Sequence, residues 1–171
     1  MSDRAGATGA GSAKPAGAPE IPGYQVRHRL GAGAGGVVWS AVRDLDRSRV
    51  AIKVIDAAGG PAPTDGGHGD ELAALRGVQH PHVVRLIEDF TLPDGRLALV
   101  LDEVRGGTLA RVVRARGHLT PPETVTVLTA LATTLADLHR LGVTHADLSP
   151  GNVLFHLDGR PMLADLGLSR V

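Results

Sequence analysis

Only two of the 18 basic residues in this chain are lysines, Lys14 and Lys53, and the second ends the stretch Val50-Ala51-Ile52-Lys53. A chain that uses arginine almost everywhere else marks position 53 as one that needs an ammonium. Upstream, Gly31-Ala32-Gly33-Ala34-Gly35-Gly36-Val37-Val38 fits the pattern Gly-x-Gly-x-x-Gly-x-Val. A glycine-rich turn between two strands lets backbone amides approach phosphate oxygens, and a lysine on the next strand supplies the counter-charge; the pair suits a nucleotide triphosphate. Downstream, Glu71 stands on a short helical stretch, where its carboxylate is placed to hold that ammonium in position.

A second group follows at His145-Ala146-Asp147-Leu148-Ser149-Pro150-Gly151-Asn152 and at Ala164-Asp165-Leu166-Gly167. One acid, one amide and a second acid lie in polar loops beside short strands. Oxygen ligands of that kind suit Mg²⁺, which takes one or two carboxylates and completes its shell with phosphates and water. Each residue also has a plainer reading. With 23 glycines in the chain, the glycine run reads alone as a hairpin turn. Glu71 reads as an acid favoured near a helix start, Asp147 and Asn152 as turn formers, and Asp165 as a strand end. The order of all of them in one chain favours the chemical reading.

The composition narrows the classes. The 171 residues, 43% hydrophobic and 21% charged, suit one globular domain. A formal net charge of zero, with no basic run standing out, argues against nucleic-acid or membrane-surface binding by bulk charge. The absence of cysteine excludes disulfide scaffolds, thiolate zinc sites and cysteine nucleophiles. No apolar stretch reaches the roughly 18 residues that a membrane helix needs, and no signal core stands at the N-terminus, so a cytoplasmic location is expected.

The elements that must position these residues follow from periodicity. Residues 1–20, rich in Gly, Ala, Ser and Pro, are expected to form a disordered leader. Strands are expected at 24–30, 37–43, 49–55, 83–90 and 96–101, with a helix at 70–78 carrying Leu72, Leu75 and Val78. Helices follow at 109–116, stopped by Gly117, and at 121–140, opened by the cap Thr120-Pro121-Pro122-Glu123. Val125, Leu128, Leu131, Ala132, Leu135 and Leu138 are read as one apolar stripe on the longer helix. Short strands are expected at 153–155 and 161–164.

From residue 24 to 171 this order of motifs resembles the protein kinase family, in particular its bacterial Ser/Thr type. Gln79-His80-Pro81-His82-Val83-Val84-Arg85-Leu86 is similar to the family's link from helix to strand. Leu99-Val100-Leu101-Asp102-Glu103-Val104, followed by Gly106-Gly107-Thr108-Leu109, is similar to its hinge. The resemblance implies an α+β, two-lobed fold with a complete five-stranded N-lobe plus one helix (21–101), a hinge (102–107) and an incomplete helical C-lobe (108–171). It implies ATP and Mg²⁺ as cofactors and transfer of phosphate to Ser or Thr of a protein substrate. By position, Gly31, Gly33 and Gly36 would cover the phosphates, Lys53 would hold them, and Glu71 would pair with Lys53. Val38, Ala51 and Leu154 would sandwich the adenine, the backbone of Asp102 and Val104 would read its edge, and Leu101 would guard the back of the pocket. Asp147 would orient the acceptor hydroxyl, and Asn152 and Asp165 would hold the metal.

The chain departs from that pattern at several points. Ala146 stands where the family's His-Arg-Asp has arginine, which removes a partner for a phosphorylated activation loop. Ser149 replaces the usual lysine and gives the loop a likeness to small-molecule phosphotransferases, and Leu166 replaces the Phe of Asp-Phe-Gly. The sequence stops soon after Asp165, before the family's activation segment and remaining helices, so it reads as a truncated form. On that reading residues 1–171 alone are expected not to phosphorylate proteins detectably, and the stripe on helix 121–140 is expected to lie bare or to take a covering partner. Two rival functions stay open: a non-catalytic nucleotide- or partner-binding module, and a small-molecule phosphotransferase of the same fold.

Overall fold

The computed structural model describes residues 15–33, 35–55 and 67–166. Ten elements follow in chain order: β1 (Tyr24–Gly33), β2 (Gly36–Arg43), β3 (Arg49–Ile55), α1 (Gly67–Gly77), β4 (Leu86–Thr91), β5 (Leu97–Asp102), α2 (Leu109–Arg116), α3 (Pro121–Arg140), β6 (Val153–Phe155) and β7 (Pro161–Leu163). The first five strands form one antiparallel sheet in the order β1-β2-β3-β5-β4, and β6 and β7 form a separate hairpin. The leader expected at 1–20 falls largely outside the described residues.

Register decides which side chains face which side. Val38 pairs with Lys53 and Lys53 with Leu99, while Ser40 pairs with Ala51 and Ala51 with Leu101. Paired residues in an antiparallel ladder share a face, so Val38, Ser40, Ala51, Lys53, Leu99 and Leu101 lie on one side of the sheet. The alternate residues Trp39, Ala41, Val50, Ile52, Val54, Ala98 and Val100 fill a core on the other side with Ile21, Tyr24 and Leu92. A second core joins Leu72 and Leu75 of α1, Leu86 and Leu99 of the sheet, Val127, Leu131 and Leu138 of α3, and Val153 and Leu163 of the hairpin.

The helix ends are set by local chemistry. Thr108 caps α2 by accepting the Arg111 amide at 3.1 Å, and Gly117, at φ 82°, ends it. At α3, proline fills the first positions, and both the amide and the hydroxyl of Thr120 donate to the Glu123 carboxylate at 2.8 Å.

Two expectations are corrected. Val83 and Val84 do not begin β4: the Val84 amide donates to Leu163, and Val83 bridges Leu163 of β7. These β-branched residues do pair as strand residues do, but with the other lobe. The apolar stripe of α3 also divides in two. Val127, Leu131, Thr134 and Leu138 are buried, whereas Val125 and Leu128 are 64% and 57% exposed. At 100° per residue the face through 125, 128 and 132 lies about a third of a turn from the buried one, with half-buried Leu135 between them packed against the core. A helix built almost wholly of Ala, Val, Leu and Thr offers more than one apolar face, and the core takes the one carrying Thr134, whose hydroxyl is satisfied by Ala130 O at 2.7 Å.

Candidate active site

The sheet face that carries Val38, Ala51 and Lys53 looks toward the loops of the second lobe. Lys53 is 6% exposed, and its Nζ lies 2.9 Å from Asp165 Oδ2. A buried ammonium without a partner is costly, and this contact supplies one. Asp165 reaches it from the residue after β7 and Ala164, with its backbone at φ 61°, a conformation that Asp tolerates better than most side chains.

The glycine turn closes over the same ammonium. Gly33 pairs with Gly36 across its end. A Cβ at Gly36, where φ is 109°, would stand 2.0 Å from Val54 O, so the turn cannot lie this close to β3 with any side chain there. A Cβ at Gly35 would stand 3.1 Å from Lys53 Nζ. Among the described residues nothing packs within 4 Å of the side-chain position at Gly31 or Gly33. Glu71 lies on α1, and its side chain, with the expected contact to Lys53, is outside the described residues.

Asp147 and Asn152 are held together. The Asn152 amide group donates to the Asp147 carbonyl at 2.8 Å and to Asp147 Oδ2 at 3.0 Å. The Asp147 side chain is exposed, and its second oxygen has no partner among the described residues. The turn that presents it begins at Ala146, whose φ of 60° is unusual for a residue with a Cβ. Asn152 O accepts the Ala164 amide at 2.9 Å, which ties the Asn152 turn to the strand end that carries Asp165. One acid bound to an amide and a second acid bound to an ammonium are thus linked through the Asn152–Ala164 hydrogen bond, and the glycine turn lies against the same ammonium.

A protein kinase domain model matches residues 24–171. The chain belongs to the protein kinase family. It is 33% identical over 147 residues to serine/threonine-protein kinase PknH of Mycobacterium bovis, which covers 85% of this chain and 24% of that protein. Identity to serine/threonine-protein kinase PkaA of Streptomyces coelicolor is 34% over 163 residues, 86% of this chain and 30% of the relative. For PknK of Mycobacterium tuberculosis the figures are 32% over 160 residues, 90% and 14%. The chain therefore spans about a quarter of the length of PknH and less of PknK.

In this kinase domain the segment between the lobes is fixed from both sides. Asp102 donates its amide to Arg85 O at 3.1 Å, and its carboxylate takes two hydrogen bonds from the Arg85 guanidinium, both 3.2 Å. Glu103 accepts from Ser40 on β2 at 3.1 Å. The backbone amide of Val104 makes no hydrogen bond among the described residues. Beyond it, Gly106 donates to Phe155 O, and Phe155 donates to Gly107 O, both at 2.8 Å. A Cβ at Gly106 would lie 2.3 Å from Phe155 O, so this strap seats directly on β6, and Thr108 bridges Leu154.

Sequence reasoning missed two features of the kinase site and one beside it. The Lys53–Asp165 pair needs the lobes brought together, and no local pattern signals it. The Ser40–Glu103 tie likewise joins residues remote in sequence. The third was legible: residues 105–119 carry four arginines and no acid, a local basic run that a net charge of zero conceals.

Proposed function

We propose that this kinase domain binds ATP with Mg²⁺ in the cleft and directs phosphoryl transfer to Ser or Thr hydroxyls of a protein. The observation that carries the reading is the buried Lys53–Asp165 pair beneath the glycine turn, with Asp147 held by Asn152 across the cleft. The donor set fits the cofactors. An ammonium beside a glycine-only turn suits phosphate oxygens. One carboxylate and one amide oxygen, from Asp165 and Asn152, suit an ion that shares its shell with phosphates and water.

The roles follow by chemistry. ATP and Mg²⁺, when bound, supply the phosphoryl group and the charge that neutralises it. Lys53 would donate to the phosphates, and Glu71 is the residue proposed to hold Lys53. Asp165 and Asn152 offer the metal one carboxylate and one amide oxygen. Gly31 and Gly33 present open backbone over the phosphates, and Gly36 seats the turn against β3 to hold it there. Val38 and Ala51 line the roof of the base pocket and Leu154 its floor, with Leu101 at the back and the backbone of Asp102 and Val104 at the edge. Asp147 accepts the proton of the acceptor hydroxyl on its free oxygen. Among the described residues no helix is long and apolar enough to cross a membrane. We propose the cytoplasm for the chemistry because ATP is available there. The domain proposed for it runs over 21–171, with lobes at 21–101 and 108–171.

Calorimetry with MgATP tests the assignment. Wild type is expected to bind and Lys53→Met to lose measurable binding; equal affinities would overturn it.

A further inference from the structure

The basic run 105–119 has no part in the chemistry just described. It contains Arg105, Arg111, Arg114, Arg116 and His118, all exposed, in a chain whose formal charges sum to zero. Arg116 is neutralised by Glu123 through two contacts of 2.9 Å. Arg105, Arg111 and Arg114 have no carboxylate partner among the described residues. The nearby acids of the hinge are already engaged, Asp102 by Arg85 and Glu103 by Ser40.

The placement of Arg111 is electrostatically unfavourable for the helix. It lies in the first turn of α2, where the dipole favours acids, and that turn has none. Its side chain leans back over the strap, with Cδ 3.9 Å from the position a Cβ would take on Gly107. The same turn is joined to the loop that carries Asp147, since the Ala110 amide donates to Pro150 O at 2.9 Å. The turn that bears Arg111 is therefore tied to the loop that presents Asp147, with Arg105 on the strap before it and Arg114 one turn further along α2.

We propose that Arg105, Arg111 and Arg114 form a docking face for an Asp- and Glu-rich segment of the protein substrate. This rests on the phosphoryl-transfer reading above and adds the substrate's charge to it. The arginines are strung along the strap and one face of α2, so they match several carboxylates spaced along an extended chain better than one concentrated phosphate. Nucleic acid fits less well: the run contains no Phe, Trp or Tyr for base stacking, and three charges supply little of a phosphate-binding track.

Fluorescence anisotropy with labelled short peptides tests this, with MgATP calorimetry on the same samples. The probes are a serine peptide flanked by Asp and Glu, its Lys/Arg counterpart, a neutral peptide with one phosphoserine, and a single-stranded DNA of charge equal to the acidic peptide. The acidic peptide is expected to bind best, more weakly as salt rises. Arg105→Ser/Arg111→Ser/Arg114→Ser is expected to weaken it about 10-fold, the size that three exposed ion pairs supply. Arg111→Glu/Arg114→Glu is expected to turn the preference toward the basic peptide. Both variants should keep wild-type MgATP affinity and melting temperature. Tighter binding of the phosphopeptide or the DNA, acidic-peptide affinity indifferent to the arginines, or no peptide binding by a chain that binds MgATP would each overturn the docking face alone. Loss of MgATP binding in wild type would instead remove the phosphoryl-transfer reading and with it the assignment of the peptide as a substrate.

Discussion

At the scale of single residues, the Lys53–Asp165 contact ties nucleotide chemistry to stability. Lys53 is almost fully buried, so Asp165→Asn takes away its ion-pair partner among the described residues. Because Asp165 is itself 28% exposed, Asp165→Asn is expected to cost about 2 kcal/mol, below the value for a fully buried pair, read from urea midpoints. The same variant should remove the Mg²⁺ dependence of ATP binding, while Asp147→Asn, on an exposed side chain, should leave both stability and nucleotide affinity nearly intact. Swapped effects would exchange the two assignments. Ala146 carries a second residue-scale consequence. Its φ of 60° costs an L-residue about 1 kcal/mol, so Ala146→Gly should raise the melting temperature slightly and Ala146→Val lower it. The sequence made Lys53, Asp147, Asn152 and Asp165 legible because their types and order are chemical. It was silent on which carboxylate meets Lys53 and on the backbone sign at 146, since both depend on groups brought together only by folding.

At the scale of elements, local chemistry sets the ends of α2 and α3, and these were legible for that reason: Gly117 stops one, and Thr120, two prolines and Glu123 open the other. The start of β4 was not, because the valines at 83 and 84 find their partner in β7, far along the chain. The cap of α3 gives a measurable pH dependence. Hydrogen bonds from Arg116 first, then from the Thr120 amide and hydroxyl, hold the Glu123 carboxyl down at about 2, against an ordinary value of 4.5. A carboxyl depressed by folding stabilises the fold above its ordinary value, and that contribution is lost as pH falls toward the folded one. Glu123→Gln should therefore melt below wild type at pH 7, with the gap closing between about pH 4.5 and pH 2. A gap that stays constant down to pH 2 would separate the cap from the ionised carboxylate. The strap is a stricter element: with Phe155 O 2.3 Å from a Cβ at Gly106, Gly106→Ala must part the strap from β6 and is expected to weaken MgATP binding through Leu154 and Val104.

At the scale of the whole molecule, one core runs across both lobes. Leu86 and Leu99 of the sheet lie in the same cluster as Leu131 and Leu138 of α3, and His80 meets Asp137 of α3 at 3.2 Å beside them. The lobes should therefore unfold together, and the division of α3 into a buried and a bare face can be read in that single transition. Leu138 is 1% exposed, so Leu138→Ala removes packed methyl groups and leaves a cavity, at a cost of about 2–5 kcal/mol. Val125 and Leu128 lie in solvent, and substitutions there ordinarily change stability by no more than about 0.5 kcal/mol. Val125→Glu/Leu128→Lys is expected to leave the urea midpoint almost unchanged. It should also lower concentration-dependent association in light scattering, because the two side chains extend an apolar face into water. If the double variant unfolds as readily as Leu138→Ala, both faces of α3 are packed in the native protein.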